Sequence, residues 1–117
     1  MITGVHSLIY TNKVEELRGF FREKLGLKFV DAGGGWQIFA LPPAELAMHP
    51  KEGETHVEMY LMCDNIEATV AELKAKGVAI EGPIEDRRWG FSCGIQLPDG
   101  SVMGLYEPRH ATAIGMK

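Results

Sequence analysis

Side chains able to do chemistry fall on alternate positions of a few short β-branched and aromatic stretches. In the stretch beginning at His56, Val57, Met59, Leu61 and Cys63 are apolar, and His56, Glu58, Tyr60 and Met62 occupy the intervening positions. Alternate side chains of a strand point to opposite faces, so the apolar set must pack on helices and the second set must face away from them. Near the N-terminus the same split sets Val5, Ser7 and Ile9 against His6, Leu8 and Tyr10. Two further stretches place Glu45, Ala47 and His49, and Val102, Gly104 and Tyr106, on that second face. A face mixing imidazole, carboxylate and phenol with apolar groups has the chemistry of a concave binding site, where apolar walls carry a few convergent polar groups. It is equally the chemistry of a face packed on a second subunit, and the two uses are compatible.

Other residues suit the same purpose. Trp36, Phe39, Tyr60, Trp89, Phe91 and Tyr106 supply aromatic walls for a flat organic molecule, although strand alternation cannot put all of them on one face. Arg87 and Arg88, just before Trp89 and Gly90, are placed to hold a carboxylate or phosphonate by paired hydrogen bonds, or are simply surface arginines. No Ser-His-Asp or Cys-His arrangement stands out. Gly33, Gly34 and Gly35 join two strands and open no helix, so they do not make a phosphate-binding loop. Cys63 and Cys93 lack the close pairing of a zinc knuckle and read as reduced, buried thiols.

The composition narrows the class. The chain has 117 residues, 45% of them hydrophobic and 24% charged, which fits one globular domain. Twelve basic residues stand against 16 acidic ones, a net charge of -4, so nothing tracks a phosphate backbone and nucleic acid is not an expected partner. No apolar run approaches the roughly 18 residues of a membrane span. The first residues carry no basic segment leading into an apolar stretch, and the chain reads as cytoplasmic.

The elements that must position these residues repeat. Val5 to Thr11 reads as a strand with Asn12 as a helix cap, and Val14, Leu17, Phe20, Phe21 and Leu25 give helical spacing up to Gly26. Strands at 27–32, 36–41 and 45–49 follow, separated by the three glycines and by Pro42-Pro43. The pattern then restarts: a strand at 56–63, a cap at Asp64, a helix through Ile66, Val70 and Leu73 up to Gly77, an extended run at 78–80 broken by Gly82-Pro83, and strands at 89–97 and 101–106. The order is βαβββ twice. Shifting the chain by 52 residues lays His6 on Glu58, Val14 on Ile66 and Phe21 on Leu73, the sign of an internal duplication. The expected organisation is a single domain over 1–117, made of a module at 1–50, a module at 54–108 and a tail at 109–117. Neither module has enough core to fold alone, so the halves share a core within the chain or exchange across a dimer.

The duplicated βαβββ order resembles the vicinal oxygen chelate proteins, which include glyoxalase I, extradiol dioxygenases, fosfomycin-resistance enzymes and bleomycin-binding proteins. The likeness rests also on the helix end Phe20-Phe21-Arg22-Glu23-Lys24-Leu25-Gly26-Leu27-Lys28-Phe29, on Trp89-Gly90, and on Leu97-Pro98-Asp99-Gly100 with a strand ending in Tyr106-Glu107-Pro108. It implies an α+β fold, two modules in a curved, partly open mixed β-sheet barrel with helices outside, and a homodimer. It also implies a metal position on the first and on the last strand of each module, serving one divalent Fe, Mn, Ni or Zn ion that leaves room for two adjacent substrate oxygens.

Carried over by position, His6 and Glu58 fall on the first-strand sites, whereas the last-strand sites hold Ala47 and Gly104, which cannot coordinate through a side chain. His49 and His56 lie two positions along and enter the set in a different register; Glu107 enters only through a bulge. His6 and Glu58 are then either metal ligands, with Glu58 a possible catalytic group, or a hydrogen-bonded pair lining a pocket; His110 reads as solvated. The expectation is a small-molecule-binding protein with an incomplete metal site, holding a partly aromatic ligand with Tyr60, Arg88, Trp89, Phe91 and Tyr106. The alternative is a metal-dependent lyase, isomerase or dioxygenase acting on a vicinally oxygenated substrate.

Overall fold

The alternation of apolar residues along the second half of the chain produces a sheet with one buried face. In the computed structural model, which describes residues 6–45, 47, 52–53 and 57–111, strands β3 (Tyr60–Met62), β4 (Ile80–Arg87), β5 (Gly90–Gln96) and β6 (Val102–Pro108) form a four-stranded sheet in the order β3-β6-β5-β4. β3 runs parallel to β6, and the other neighbours are antiparallel. The parallel pair needs a crossover, which runs through helix α2 (Ile66–Ala75) and β4 and β5. Ile95, Leu97, Met103 and Leu105 project onto Ile66, Val70 and Leu73 of α2, and Ile95 at the centre is 0% exposed.

β4 continues past Gly82-Pro83, where the sequence suggested a break. It is the edge strand, so the N–H that Pro83 lacks is not needed by a neighbour, and a register shift between Glu81 and Glu85 absorbs the irregularity. Helix α2 is capped one residue later than expected: Asn65, not Asp64, accepts the Ala68 N–H at 3.1 Å. A second cap comes from afar. Glu107, at the end of β6, accepts the Ile66 N–H at 2.9 Å, so a carboxylate from the sheet meets the positive end of the helix.

The first half contributes helix α1 (Val14–Gly19), whose last turn widens into a π-helical segment (Phe20–Lys24), with Leu25 N–H donating to the Phe20 carbonyl at 3.2 Å. Asn12 does not cap this helix: the cap position falls on Lys13 with no side-chain cap hydrogen bond, and the Thr11 hydroxyl accepts the Lys13 N–H at 3.1 Å just ahead of it. Leu17 and Phe20 join the same core as α2. A hairpin of β1 (Phe29–Asp31) and β2 (Gln37–Phe39) packs on the helix through Phe21 and Phe39, rings 6.0 Å apart. Its loop has positive φ at Gly33, Gly34 and Gly35 (119°, 63° and 85°), a path closed to other residues without strain, and Asp31 holds it by accepting the Gly33 N–H at 2.7 Å. Residues 6–11, expected as a strand, run without a ladder partner among the described residues. Of the strand expected at 45–49, residues 46 and 48–49 lie outside the described residues, as do His49 and His56.

Two polar clasps tie the halves together. Lys24 Nζ donates to the Lys76 carbonyl at 2.8 Å and Lys76 Nζ to the Lys24 carbonyl at 3.2 Å, so each helix end receives the other's ammonium. The two residues are 52 apart, the offset at which the sequence aligns with itself. Thr11 donates to Asp99 Oδ2 at 2.8 Å across the β5–β6 turn. Among the described residues no helix is long and apolar enough to cross a membrane.

Hydrogen bonds from the Ser101 hydroxyl, then from Thr11 and the Ser101 N–H, hold the Asp99 carboxyl below its usual range. A depressed native pKa stabilises the fold above the ordinary carboxyl value of roughly 4 and loses that contribution as the pH falls through the native value. Asp99→Asn is therefore expected to lower the melting temperature at neutral pH and to shrink its fall under acid conditions; an acid melting profile parallel to that of the parent would refute this. Glu107→Ala should destabilise the fold by about 1 kcal/mol in urea unfolding, and Glu107→Gln, which keeps an acceptor, by less. Equal losses for the two variants would show that the carboxylate does not cap α2.

Candidate functional site

The face of the four-stranded sheet turned away from the helices carries the polar side chains, and the register arranges them in rows. Tyr60, Gly104, Gly94 and Glu81 stand side by side across β3, β6, β5 and β4. Met62, Tyr106, Ser92 and Glu85 form the next row. Two adjacent glycines thus leave bare backbone in the middle of the first row. Gly104 has ordinary strand geometry and is needed for space alone: a Cβ there would overlap the Tyr60 ring. At Gly94 a Cβ would come within 2.6 Å of Val102 and 2.9 Å of Glu81.

Seated on Gly104, the Tyr60 ring meets Trp89 at 5.9 Å and Tyr106 at 5.7 Å, and Trp89 meets Tyr106 at 5.3 Å. The three interplanar angles are 75°, 83° and 74°, so each pair is edge-to-face, the arrangement that ring quadrupoles favour. Both phenols lie against carboxylates. Tyr60 Oη donates to Glu58 Oε2 at 3.0 Å, and Tyr106 Oη stands 3.4 Å from Glu45 Oε1 and 3.4 Å from His110 Nε2. Burial first, and then the Glu58 carboxylate, pushes the Tyr60 hydroxyl above the ordinary phenol value, with Arg87 opposing. Burial and then Glu45 do the same to Tyr106. Both rings stay protonated near neutral pH.

Tyr60 also walls a cleft of about 550 Å³. Glu58 flanks it on β3's approach, Glu81, Glu85 and Arg87 come from β4, Ser92 and Gly94 form its floor, and Ile9 reaches it from the first half. Arg87 is held in this wall: it pairs with Glu85, its Nε donates to Ser92 Oγ at 3.1 Å, and its guanidinium lies 6.0 Å from the Trp89 ring. Ser92, the buried polar residue of the sheet, is satisfied by that bond.

The residues singled out from sequence are dispersed differently. Glu58 and Tyr60 line the cleft, and Trp89 and Tyr106 join it through the ring cluster. Phe91 lies on the helix side, against the core, with Arg109 stacked 4.6 Å from its ring. Arg88 is exposed in the β4–β5 turn, outside the cleft lining. His6 is exposed and also outside the lining, while Ala47 is exposed and Gly104 lies beneath Tyr60. Glu107 points to α2, as strand alternation required. His110 is not simply solvated, since it stacks on Tyr106 at 6.0 Å.

Glu81, Glu85 and Ser92 were not singled out from sequence. Gly82-Pro83 reads as a break, which hides that β4 is one strand, and Ser92 looks like any small strand residue. Among the described residues no three His, Cys, Asp or Glu side chains converge as a metal site, and the position implied for a last-strand carboxylate is filled by a tyrosine ring. The described residues by themselves do not fit the divalent ion that the resemblance implied, and His49 and His56 lie outside them.

Comparison with known proteins places this geometry. No functionally curated sequence matches the chain. Among solved structures, TnmS3, an antibiotic-binding protein from Streptomyces sp. CB03234, is 25% identical, with 92% of this chain and 97% of that one covered and a TM-score of 0.66. A glyoxalase/bleomycin resistance protein from the same Streptomyces is 26% identical over 81% of this chain and 91% of its own, with a TM-score of 0.55. Lactoylglutathione lyase from Agrobacterium tumefaciens, at 15% identity and a TM-score of 0.63 over 90% of this chain and 92% of its own, shares the fold. The sequence pattern of one superfamily runs through residues 4–104, across both helices and both sheets, and the chain accordingly belongs to the Glyoxalase/Bleomycin resistance protein/Dioxygenase superfamily.

Proposed function

We propose that the protein binds a small, partly aromatic organic molecule in the cleft beside Tyr60 and does so without metal chemistry. The observation that carries this reading is the Tyr60 ring lying on the bare backbone of Gly104. A carboxylate at position 104 and the ring of Tyr60 are mutually exclusive, so the space a metal ligand would take serves as an aromatic wall. Tyr60 is 41% exposed, which leaves a ring face open to a ligand. Burying such a face against a flat molecule releases water from two apolar surfaces, and Trp89 and Tyr106 keep the ring from swinging away. The likeness to an antibiotic-binding protein supports binding rather than turnover.

The two modules, 1–50 and 54–108, act as a pair in this reading, and the working form is a cytoplasmic homodimer. Tyr10 and Val57 are each 90% exposed, and with Leu8, Ile9 and Val102 they leave an apolar strip beside the cleft that a second copy would cover. Light scattering is expected to return twice the chain mass, with Tyr10→Glu shifting it toward the single chain; a monomer at all concentrations would remove the dimer from the proposal.

Metal content separates binding from the enzymatic alternative. Protein purified without chelator should carry no stoichiometric Fe, Mn, Ni or Zn, and its melting temperature should not move when each ion is added. Tight metal that is lost in His6→Ala would overturn the metal-independent reading.

A further inference from the structure

Trp89, which backs the Tyr60 wall, is carried on a turn whose own geometry does not suit its strands. β4 and β5 are joined by two residues, Arg88 and Trp89, between the paired Arg87 and Gly90. The two-residue turns that match the twist of a hairpin need a positive φ at their first position, and neither Arg88 nor Trp89 has one. We infer that Arg109, just beyond the end of β6, is the positioning residue of this turn: it grips the backbone at Arg87 and at Trp89 and so keeps the indole edge-on to Tyr60 and Tyr106. The inference rests on the reading of the cleft beside Tyr60 as a binding site. It gives control of one of the supports of that site to a residue outside the cleft lining.

Gly90 brings the C-terminal segment within reach. A Cβ at this position would strike the Glu107 carbonyl, so β6 passes hard against the turn, and the pairing of Gly90 with Pro108 delivers Arg109 to it. Arg109 then meets the turn with its backbone and its side chain. Its main-chain N–H donates to the Trp89 carbonyl at 2.9 Å, Nη1 to the Arg87 carbonyl at 2.9 Å and Nη2 to Asp86 Oδ1 at 2.7 Å, with the guanidinium 4.6 Å from the Phe91 ring. A single exposed ion pair contributes little to stability. Here one planar fork reaches a carboxylate and a main-chain carbonyl at once while lying on a ring, a geometry in which lysine does not replace arginine. The next residue continues the arrangement, since the His110 ring stacks on Tyr106 with the two planes 30° apart. Two consecutive residues of the segment thus brace two of the three rings.

Trp36 and Trp89 are the two tryptophans of the chain, so a Trp36→Phe parent leaves Trp89 as the single reporter. In that parent, Arg109→Ala is expected to cut the near-ultraviolet circular dichroism of Trp89 by about half and to raise its acrylamide quenching about twofold while the protein is folded. Calorimetric affinity for 2-naphthylmethanol, an uncharged flat probe, should fall about fivefold, the effect of losing one ordinary hydrogen bond. Arg109→Lys should resemble Arg109→Ala, because one ammonium does not serve both Asp86 and the Arg87 carbonyl. Asp86→Ala attacks the same contact from the other side and should loosen Trp89 in the same direction, with little added when it is combined with Arg109→Ala. A residue that only stabilised the fold would lower the melting temperature and leave the Trp89 signals of the folded state where they were.

Unchanged dichroism and quenching of Trp89 in folded Arg109→Ala would overturn the inference, and so would fully additive effects of Asp86→Ala and Arg109→Ala. A loosened Trp89 with unchanged probe affinity would remove Arg109 from the binding site and leave the cleft standing. If the parent binds no probe, the cleft beside Tyr60 fails as the ligand site and the role of Arg109 in binding falls with it, whereas the Trp89 signals still report the brace, so the two failures are told apart.

Discussion

A sheet with one dry face and one wet face is the constraint from which the rest of this molecule follows. Ile95, Leu97, Met103 and Leu105 have to be covered, and α2 with Leu17 and Phe20 of the first half covers them. Strand geometry then leaves no choice about the other face: every residue between those core positions is driven to the opposite side. Tyr60, Ser92, Gly94, Gly104 and Tyr106 share a surface because their neighbours needed burial. The site is in this sense a by-product of the core, refined by what occupies the alternate positions.

Refinement is clearest at Gly104. A strand interior gains nothing from glycine, which weakens it and packs nothing. Here the missing side chain lets the Tyr60 ring lie flat on β6, and that ring organises Trp89 and Tyr106 around it. The same position cannot serve both as a ligand-donating carboxylate and as the bed of an aromatic ring. In this chain the space beside position 104 belongs to the ring.

Much of this was legible because strand parity has a period of two and survives uncertainty in where a strand ends. The opposite placement of Tyr60 and Leu61, or of Tyr106 and Leu105, follows from the sequence of β3 and β6 alone. What stayed hidden was the continuity of β4 rather than its parity. Gly82-Pro83 reads as a break, yet an edge strand tolerates both residues through a bulge, and because parity is kept across it Ile80 and Ile84 face the core while Glu81 and Glu85 face the other side. The cap of α2 was off by one residue, since Asp64 and Asn65 are both good caps and only the chain path chooses between them. Pairings over long distances were not legible at all: nothing in the sequence says that Thr11 will donate to Asp99, or that Lys24 and Lys76 will cap each other's helix. Such contacts depend on how two halves dock, which local patterns do not encode.

The carboxylates show how position in this framework sets chemical role. Glu107 and Glu58 belong to neighbouring parts of the same sheet and are the same residue type. Glu107 has the parity of Leu105, so it is delivered to the N-terminus of α2, where its charge is matched by backbone N–H groups. Glu58 has the parity of Tyr60, so it is delivered to the wet face, where it accepts the Tyr60 hydroxyl. Asp99 is absorbed by the β5–β6 turn through Thr11 and Ser101. Glu85 is absorbed by Arg87. Carboxylates on the dry side and in turns are thus committed to the fold, whereas Glu58, Glu81 and Glu85 stand on the wet face around the cleft. A single-residue shift in strand register would exchange these roles, which is why the packing of Ile95 and its neighbours governs the electrostatics of a site none of them touches.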